Sequence, residues 1–396
     1  MPKKDKTSKA KKSNKLNKFE KSNVFVVGGF DIPFFAATIA LLTVGLVMLF
    51  SASYPYSLNK YGDSYHYIIR QLAFAIVGVV VMLVVSKINY KLLKALTVPL
   101  LVVTLLLLCI VLVYHTDVKD FKRWIPLGPI SIQPSDIAKF TITLTMASYF
   151  TKYYRYVEKT KYGIIYPLMI MSAFCALIFL EHHLSCTILM FIIGASIMFC
   201  AGSNKWLFWI GIGLVGAVIF VVIRYPEVLM DYAGDRIKAW LNKDFEPLGK
   251  RWQTNNSLYA IGSGGLFGTG LGNSIQKYLY VSEPQNDFIF AIVCEELGLI
   301  GAGSIIALYA FLFARGIYIA INCNDRFGSL IVVGIVSQVA AQSILNILVV
   351  TDTIPNTGIA LPFFSYGGTA LLMLLFEMGV VLSISRKSNQ KKVITE

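Results

Sequence analysis

Long apolar runs most constrain how this chain can fold. A transmembrane helix needs about 20 apolar residues, and only helices or closed barrels satisfy the backbone inside a bilayer. Strand-like alternation is absent, and the sequence is 56% hydrophobic and 15% charged, against about 45–50% and about 25% in soluble domains. We therefore predict an all-α polytopic membrane protein of about ten transmembrane helices. The apolar runs cover residues 32–53, 68–86, 93–114, 134–151, 163–181, 184–201, 206–224, 287–314, 327–350 and 361–385.

The basic residues predict how the chain is oriented in the cytoplasmic membrane. Nine lysines and two acidic residues lie between Met1 and Lys21, so this tail supplies +7 of the net charge of +14. A basic tail ahead of an apolar run fits an anionic membrane surface better than a nucleic acid. Lysine and arginine in the short loops predict that both termini are cytoplasmic. We divide the chain into a basic cytoplasmic tail (1–30), a ten-helix transmembrane domain (31–386) and a second cytoplasmic tail (387–396).

One long loop, residues 225–286, is predicted to lie on the extracytoplasmic side between helices 7 and 8. Loops of this length are usually functional. Two stretches of it, Asp231–Leu241 and 253–261, are amphipathic and contain Trp or Tyr, which suit a membrane interface. The glycine-rich stretch 262–272 that follows has two interpretations. It is a compact turn, or its backbone N–H groups bind an anion such as pyrophosphate.

Ionisable and amide side chains within the apolar runs are the next candidates, because such groups are costly in a bilayer. Asp136 and Lys139 lie one helical turn apart and can form an ion pair. Glu295, Glu296 and Glu377 are further acidic residues in apolar runs, and Gln338, Gln342 and Asn346 repeat every four residues. The simplest role for these groups is to bond to one another and hold the helices together. We assign this structural role to Asp136, Glu295, Glu296 and Asn346.

Asp287 ends the long loop and begins the eighth predicted helix. From the pattern alone it is an N-cap residue, which Asp favours, or a general base whose pKa is raised by the apolar helix beside it. No residue spacing indicates a metal site, and the adjacent His182 and His183 would diverge on a helix.

Motifs in a fixed order along most of the membrane region resemble the SEDS family, which includes FtsW, RodA and SpoVE. The matching segments are 123–125 (RWI), 133–139 (QPSDIAK), 252–253 (WQ), 262–265 (GSGG), 272–277 (GNSIQK), 287–291 (DFIFA), 295–298 (EELG), Asn346, 354–355 (IP), 357–359 (TGI) and 361–369 (LPFFSYGGT). The segment 283–285 (EPQ) looks closer to the FtsW and SpoVE branch than to RodA.

The resemblance implies a ten-helix fold and polymerisation of lipid II into peptidoglycan strands, in cell division or sporulation. It assigns the catalytic carboxylate to Asp287, with inverting transfer and undecaprenyl pyrophosphate as the leaving group. It also implies a class B penicillin-binding protein, a transpeptidase, as partner, together with division or sporulation proteins. No nucleic-acid partner is expected.

Positive charge is needed to stabilise the leaving pyrophosphate. Candidates are Arg123, Lys139, Lys250, Arg251 and Lys277, and a divalent cation such as Mg²⁺ or Mn²⁺ is a further alternative. The family motifs add Gln253, Ser263, Glu283 and Ser365 as candidate substrate-binding residues.

Three departures from the family pattern stand out. Where the family often has Leu-Glu-Pro-Asp-Leu-Gly-Thr, residues 180–187 lack both the Asp and the Gly. Asp136 replaces a common Glu, and Asn286 replaces a common Thr. Two other functions stay open: a lipid II flippase that uses the polar stripe of the ninth helix, and a non-catalytic scaffold for cell division.

Overall fold

The computed structural model is a bundle of long helices. It describes residues 28–113, 123–127, 130–181, 183–204 and 251–395, and between 205 and 250 it describes residues 206, 209–211, 213, 216, 220, 221, 224, 225, 231–244, 246 and 249. Eleven α-helices have defined bounds in these parts of the chain: α1 (Ile32–Tyr61), α2 (His66–Val85), α3 (Leu92–Val113), α4 (Pro134–Lys152), α5 (Tyr166–Leu180), α6 (Leu184–Ala201), α7 (Asp231–Leu241), α8 (Trp252–Gly264), α9 (Ile289–Ile321), α10 (Arg326–Val350) and α11 (Gly368–Thr395).

The prediction of an α-helical multi-pass membrane protein is confirmed. Eight of the described helices are long and apolar enough to cross a membrane, namely α1, α2, α3, α5 with its preceding turn, α6, α9, α10 and α11. The predicted span at 206–224 lies largely outside the described residues, as does most of the basic tail. The count of ten spans and the orientation of the termini therefore stay predictions.

Helix α4 coincides with the fourth predicted span but is more polar than the eight apolar helices. It packs against α3, α6 and α10, and fourteen of its nineteen residues are buried. Its threonines bond to the helix's own carbonyls or to neighbours, as Thr141 does to Thr104 at 2.8 Å. Because other helices surround it, α4 can carry polar side chains that a lipid-facing helix could not.

The last predicted span, 361–385, begins too early. Residues 361–367 form a buried non-helical turn, and α11 begins only at Gly368. Pro362 has no N–H to donate, and Phe363 has a left-handed φ of 68°. The Oγ of Ser365 accepts a hydrogen bond from the N–H of Leu361 at 2.7 Å. An apolar run alone could not distinguish this turn from a helix, since both are buried.

A short antiparallel hairpin, which the sequence interpretation did not include, precedes α4. Its strands are β1 (Ile125–Leu127) and β2 (Ile130–Ile132), with Ile125 opposite Ile132. The two residues between them in the sequence are Gly and Pro, a combination typical of turns.

Helix α9 is broken at Gly298, whose φ of 65° and ψ of −170° are not helical. The glycine-rich segment 264–272 satisfies the backbone groups that this break exposes. The N–H groups of Leu299 and Ile300 donate to the carbonyls of Gly265 and Leu266 at 2.9 and 3.2 Å. The carbonyls of Glu295 and Glu296 accept from Thr269 and Gly270 at 2.9 and 3.1 Å.

The glycine-rich segment is therefore the compact turn of our two alternatives. Besides the two bonds to α9, the N–H of Gly268 donates to the carbonyl of Gly264 at 2.8 Å. The N–H of Asn273 donates to the carbonyl of Gly270 at 3.1 Å. These four amides are occupied within the protein, so they offer no donors to an anion in this structure.

Glycine is required where the segment touches α9, which gives a matched test. A Cβ on Gly264 would overlap the carbonyl of Cys294, whereas a Cβ on Gly262 in the same helix would meet nothing. We expect Gly264→Ala to lower the free energy of unfolding by about 1–3 kcal/mol, and Gly262→Ala to leave it unchanged or raise it slightly. Thermal unfolding of the purified variants measures this. Equal melting temperatures would show that α8 does not dock so closely on α9.

Candidate active site around Asp287

Asp287 lies between the long loop and α9, two residues ahead of the first helical residue, Ile289. The N-cap position is occupied by Phe288, and no side chain makes a capping hydrogen bond there. The alternative that Asp287 serves as the helix cap is therefore wrong. Its carboxylate accepts no hydrogen bond from the backbone N–H groups at the start of α9.

Three side-chain and backbone groups fix the main chain at Asp287. The Nδ2 of Asn346, in α10, donates to the carbonyl of Asp287 at 2.7 Å and to that of Ile359 at 2.6 Å. The Oγ of Ser365 donates to the carbonyl of Asn286 at 2.7 Å. The N–H of Tyr366 donates to the carbonyl of Gln285 at 2.8 Å. The buried turn before α11 and the polar stripe of α10 thus hold Asp287 in place.

The carboxylate of Asp287 is half-buried and receives no hydrogen bond from any described residue. A Cβ built on Gly358 would lie 3.2 Å from its Oδ2 and 3.9 Å from the Nη1 of Arg236. Glycine at 358 therefore leaves a small space between the carboxylate and this guanidinium. Burial raises the pKa of Asp287 to about 6, a shift that Arg236 and Arg123 oppose and Glu283 reinforces. Asp287 is therefore ionised at neutral pH but close to its titration range.

The positive charge of Arg123, just ahead of β1, acts both on Asp287 and on the turn between α5 and α6. In that turn Glu181 is fully buried, and neither carboxylate oxygen has a partner among the described residues. Burial raises the pKa of Glu181 to about 8, against the opposing charge of Arg123, so this group is protonated at neutral pH. Burial, with Arg123 and Lys139, lowers the pKa of His183 to about 3.

Residue 183 is where the family pattern often has Asp, and here it holds a neutral imidazole. The turn lies against the catalytic segment, because the Oγ of Ser185 donates to the carbonyl of Thr357, next to Gly358. This chain therefore has one negative charge fewer beside Arg123 than the family pattern implies. His182 lies outside the described residues.

Asp136 and Lys139 form the ion pair expected from their spacing, with 2.8 Å between Nζ and Oδ1. Nearby, the Nε2 of Gln338 donates to the carboxylate of Glu377 at 2.8 Å. These four side chains and Ser365 line a cavity of about 50 Å³ in the bundle. Lys139 is largely enclosed, and it carries the positive charge of this cluster.

Two predicted anion-binding residues are paired inside the protein instead. The Nζ of Lys277 lies 2.8 Å from Glu296, and both side chains are almost fully buried. The Nη2 of Arg251 lies 2.5 Å from the Oδ2 of Asp352. Each cation is neutralised by its carboxylate, so in this conformation neither offers a free charge to pyrophosphate. Lys250 lies outside the described residues.

The carboxylates of Glu295 and Glu296 fasten the long loop to α9. Glu295 accepts from the Oγ of Ser274 at 2.5 Å and from the N–H of Ile275 at 2.9 Å. Glu296 accepts from the Oγ of Ser51, in α1, at 2.7 Å. The acidic pair thus binds the loop and α1.

The other predicted substrate-binding residues lie at different places in the loop. The Oγ of Ser263 is exposed and donates to the carbonyl of Ala260 at 3.0 Å. Glu283 is exposed and accepts from the Nδ2 of Asn286 at 2.8 Å and from the hydroxyl of Tyr56 at 3.2 Å. Gln253 lines a separate cavity and donates to the carbonyl of Ser282 at 2.8 Å.

Among the described residues, no group of three or more His, Cys, Asp or Glu side chains lies close enough together to hold a metal ion. The divalent cation stays a prediction.

Comparison with known proteins identifies the family. The model of the FtsW/RodA/SpoVE family, described as cell cycle proteins, matches residues 33–390. The chain belongs to this family. The stage V sporulation protein E of Bacillus subtilis is 38% identical over 90% of this chain and 97% of its own length. The probable peptidoglycan glycosyltransferase FtsW of Trichlorobacter lovleyi is 36% identical over 91% of this chain and 94% of its own length.

A solved structure of the family fold agrees with the arrangement described above. It belongs to a peptidoglycan synthase complex that is described as coordinating polymerization and crosslinking. It matches with a TM-score of 0.74 over 91% of this chain and 99% of the solved chain, at 23% identity. At that identity the comparison establishes the fold. The predicted resemblance to the FtsW and SpoVE branch is confirmed by the relatives.

The sequence did not indicate that Arg236 and Gly358 lie beside Asp287. It also did not indicate that Arg123 acts on Glu181. Arg236 lies in α7, and its Nη1 donates to the carbonyl of Asn356 at 2.9 Å. No sequence spacing connects α7 with the segment after α10, because tertiary packing brings them together. Glu181 was visible only as part of a departing motif.

The Asp136–Lys139 pair allows a test of whether the two charges stabilise the fold. Lys139→Met leaves the Asp136 carboxylate buried without its cation, and we expect a loss of about 3–5 kcal/mol in stability. The double variant Asp136→Asn with Lys139→Met removes both charges and should regain most of it. Thermal unfolding of the purified variants measures this. Unchanged stability in the single variant would mean that the pair is hydrated.

Proposed function

We propose that this chain is a peptidoglycan glycosyltransferase that polymerises lipid II into glycan strands in cell division or sporulation. The observation that carries the proposal is Asp287, a half-buried carboxylate with no hydrogen-bond donor among the described residues, held by its main chain at the end of the long loop. The relatives named as probable peptidoglycan glycosyltransferases support this reaction class.

In the proposed reaction, Asp287 acts as the general base. Its carboxylate accepts the proton of the N-acetylglucosamine 4-hydroxyl of an acceptor lipid II. The hydroxyl oxygen forms a bond to the anomeric carbon of the donor strand, and the bond from that carbon to undecaprenyl pyrophosphate breaks. Configuration inverts at that carbon. A base with a pKa of about 6 suits this step, because it is ionised at neutral pH yet still basic.

Positive charge for the leaving pyrophosphate is available at Arg123. Its charge acts on Asp287, Glu181 and His183. The neutral imidazole at residue 183 leaves this cation with less competing negative charge than an Asp would. We assign the pyrophosphate to Arg123, where a divalent cation bound by its phosphates would add to the same stabilisation.

The site is proposed to face the outside of the cytoplasmic membrane, with both termini in the cytoplasm, so that the prenyl tails stay in lipid while the sugars react in water. The proposed partner is a class B penicillin-binding protein that cross-links the strands, within the division or sporulation machinery. The matching solved chain comes from a complex that coordinates polymerization and crosslinking, which favours such a partner.

The rival function, a lipid II flippase, has less support. It would use membrane-depth polar groups, and these line a cavity of about 50 Å³. At about 30 Å³ per water molecule, that space holds one or two waters. In this conformation the cavity cannot hold a disaccharide head group.

Replacing Asp287 with Asn tests the proposal. The change keeps the size of the side chain and removes its basicity, so polymer formation from purified lipid II should fall at least about 10²-fold. Gels that resolve glycan strands measure the product. Asp244→Asn, an exposed residue of the same loop, is the matched control and should remain active. Normal polymerisation by Asp287→Asn would reject the catalytic assignment, and lipid II transport without polymer would favour the flippase.

The pH profile of polymerisation tests the environment of Asp287. A base must be deprotonated, so the rate should be flat above pH about 6 and fall about tenfold per pH unit below it. Glu283 raises this pKa through its negative charge, so Glu283→Gln should move the midpoint to lower pH. Initial rates between pH about 5 and about 8 measure both effects. A midpoint that does not move in Glu283→Gln would show that the two carboxylates do not interact.

A further inference from the structure

A second, larger cavity lies beside the catalytic segment and has no role in the steps above. Its volume is about 250 Å³, and it is enclosed by α7, α8 and residues 352–356. Its lining includes Arg236, Trp240, Arg251, Gln253, Asp352 and Asn356. Arg236 is shared by this cavity and the site around Asp287, because it lines the cavity and faces Asp287 across the space at Gly358.

Hydrogen bonds between its elements hold the walls of this cavity in place. The Nη2 of Arg251 contacts Asp352 at 2.5 Å. The Nε1 of Trp240 donates to the carbonyl of Asp352 at 3.0 Å. The Nη1 of Arg236 donates to the carbonyl of Asn356 at 2.9 Å. These bonds tie α7 and residue 251 to the segment that follows α10, so the cavity is preorganised.

The charges of the lining identify the kind of ligand. Two arginines, Arg236 and Arg251, face two acidic residues, Asp235 and Asp352. Arg251 and Asp352 form an ion pair, and the formal charge of the lining is zero. A phosphate or pyrophosphate would prefer an excess of positive charge. The balanced lining favours a neutral ligand.

Polar atoms without partners indicate that the ligand forms hydrogen bonds. Three lining residues each have a polar side-chain atom that forms no hydrogen bond with a described residue. These atoms are the Oε1 of Gln253, the Nδ2 of Asn356 and the Oγ1 of Thr254. Together they offer donors and acceptors beside the aromatic ring of Trp240. Seven of the nine lining residues are polar or charged, and Trp240 adds an aromatic surface, a combination that suits a small polar molecule. A ring with several hydroxyls and one apolar face matches this combination.

We infer that this cavity is a subsite for one neutral sugar ring of the glycan. The inference rests on the proposed function and adds the position of the acceptor sugar. The acceptor is the substrate whose hydroxyl must reach Asp287, and the cavity adjoins Asp287 through Arg236. The pyrophosphate of the donor is assigned to Arg123, which does not line this cavity.

Binding of a soluble chito-oligosaccharide of four N-acetylglucosamine units, measured by isothermal titration calorimetry on the purified full chain, tests the inference. Ala239 lines the cavity, and its side chain takes part in no hydrogen bond. Ala239→Leu should fill part of the cavity and weaken binding at least about tenfold, the effect of a 1.4 kcal/mol change. Lys238→Met, at the neighbouring exposed position of α7, should bind as the unmodified chain does.

A second variant provides an independent test if Ala239→Leu does not fold. Thr254→Val keeps the volume and removes one hydroxyl, and it should weaken binding about threefold to tenfold. The Michaelis constant for lipid II should rise in Ala239→Leu and Thr254→Val.

The outcomes separate this inference from the proposed function. Oligosaccharide binding that is equal in Ala239→Leu, Thr254→Val and the unmodified chain would overturn the subsite, even if polymerisation is observed. Binding of inorganic pyrophosphate that Ala239→Leu abolishes would overturn the neutral ligand. The unmodified chain could bind the oligosaccharide, with weaker binding in both variants, yet make no polymer. That result would support the subsite and reject the proposed polymerase function.

Discussion

The structure depends on hydrogen bonds that satisfy non-helical backbone inside a helical bundle. An unpaired N–H or C=O group away from water costs free energy comparable to a lost hydrogen bond, and more so in hydrocarbon. The break in α9 at Gly298 is tolerated because the glycine-rich segment supplies the missing partners. The same requirement holds the turn before α11 against the loop, through Tyr366 and Ser365. As a consequence, the backbone around Asp287 is fixed from several directions.

The buried lysines and arginines of the described residues are each paired with a carboxylate, which makes Asp287 informative. Lys277 and Arg251 are paired with Glu296 and Asp352, and Lys139 is paired with Asp136. A buried pair that loses one partner is strongly destabilised, so these ions serve the structure first. Asp287 differs, because two arginines act on it without any described donor bonding to its carboxylate. A carboxylate held this way remains available to take a proton.

Two different surroundings meet Asp287. The charge of Arg123 acts on Asp287 and also on Glu181 and His183. This group has positive charge and a protonated acid, which suits an anionic leaving group. Arg236 acts on Asp287 and lines the larger cavity, whose balanced charge suits a neutral sugar.

The sequence by itself determined the fold class, nearly all the described membrane helices, the two loop helices and the position of Asp287 in the chain, because apolar length, amphipathic spacing and family motifs are local patterns. It also determined the Asp136–Lys139 pair, since residues three apart on a helix share a face. Only the tertiary structure decided between a cap and an unoccupied carboxylate, and showed that the glycine-rich segment is a compact turn against α9. It alone brought Arg236 to Asp287 and gave Lys277 to Glu296. These contacts join segments far apart in the chain, and packing between helices, which no local pattern records, sets their distances.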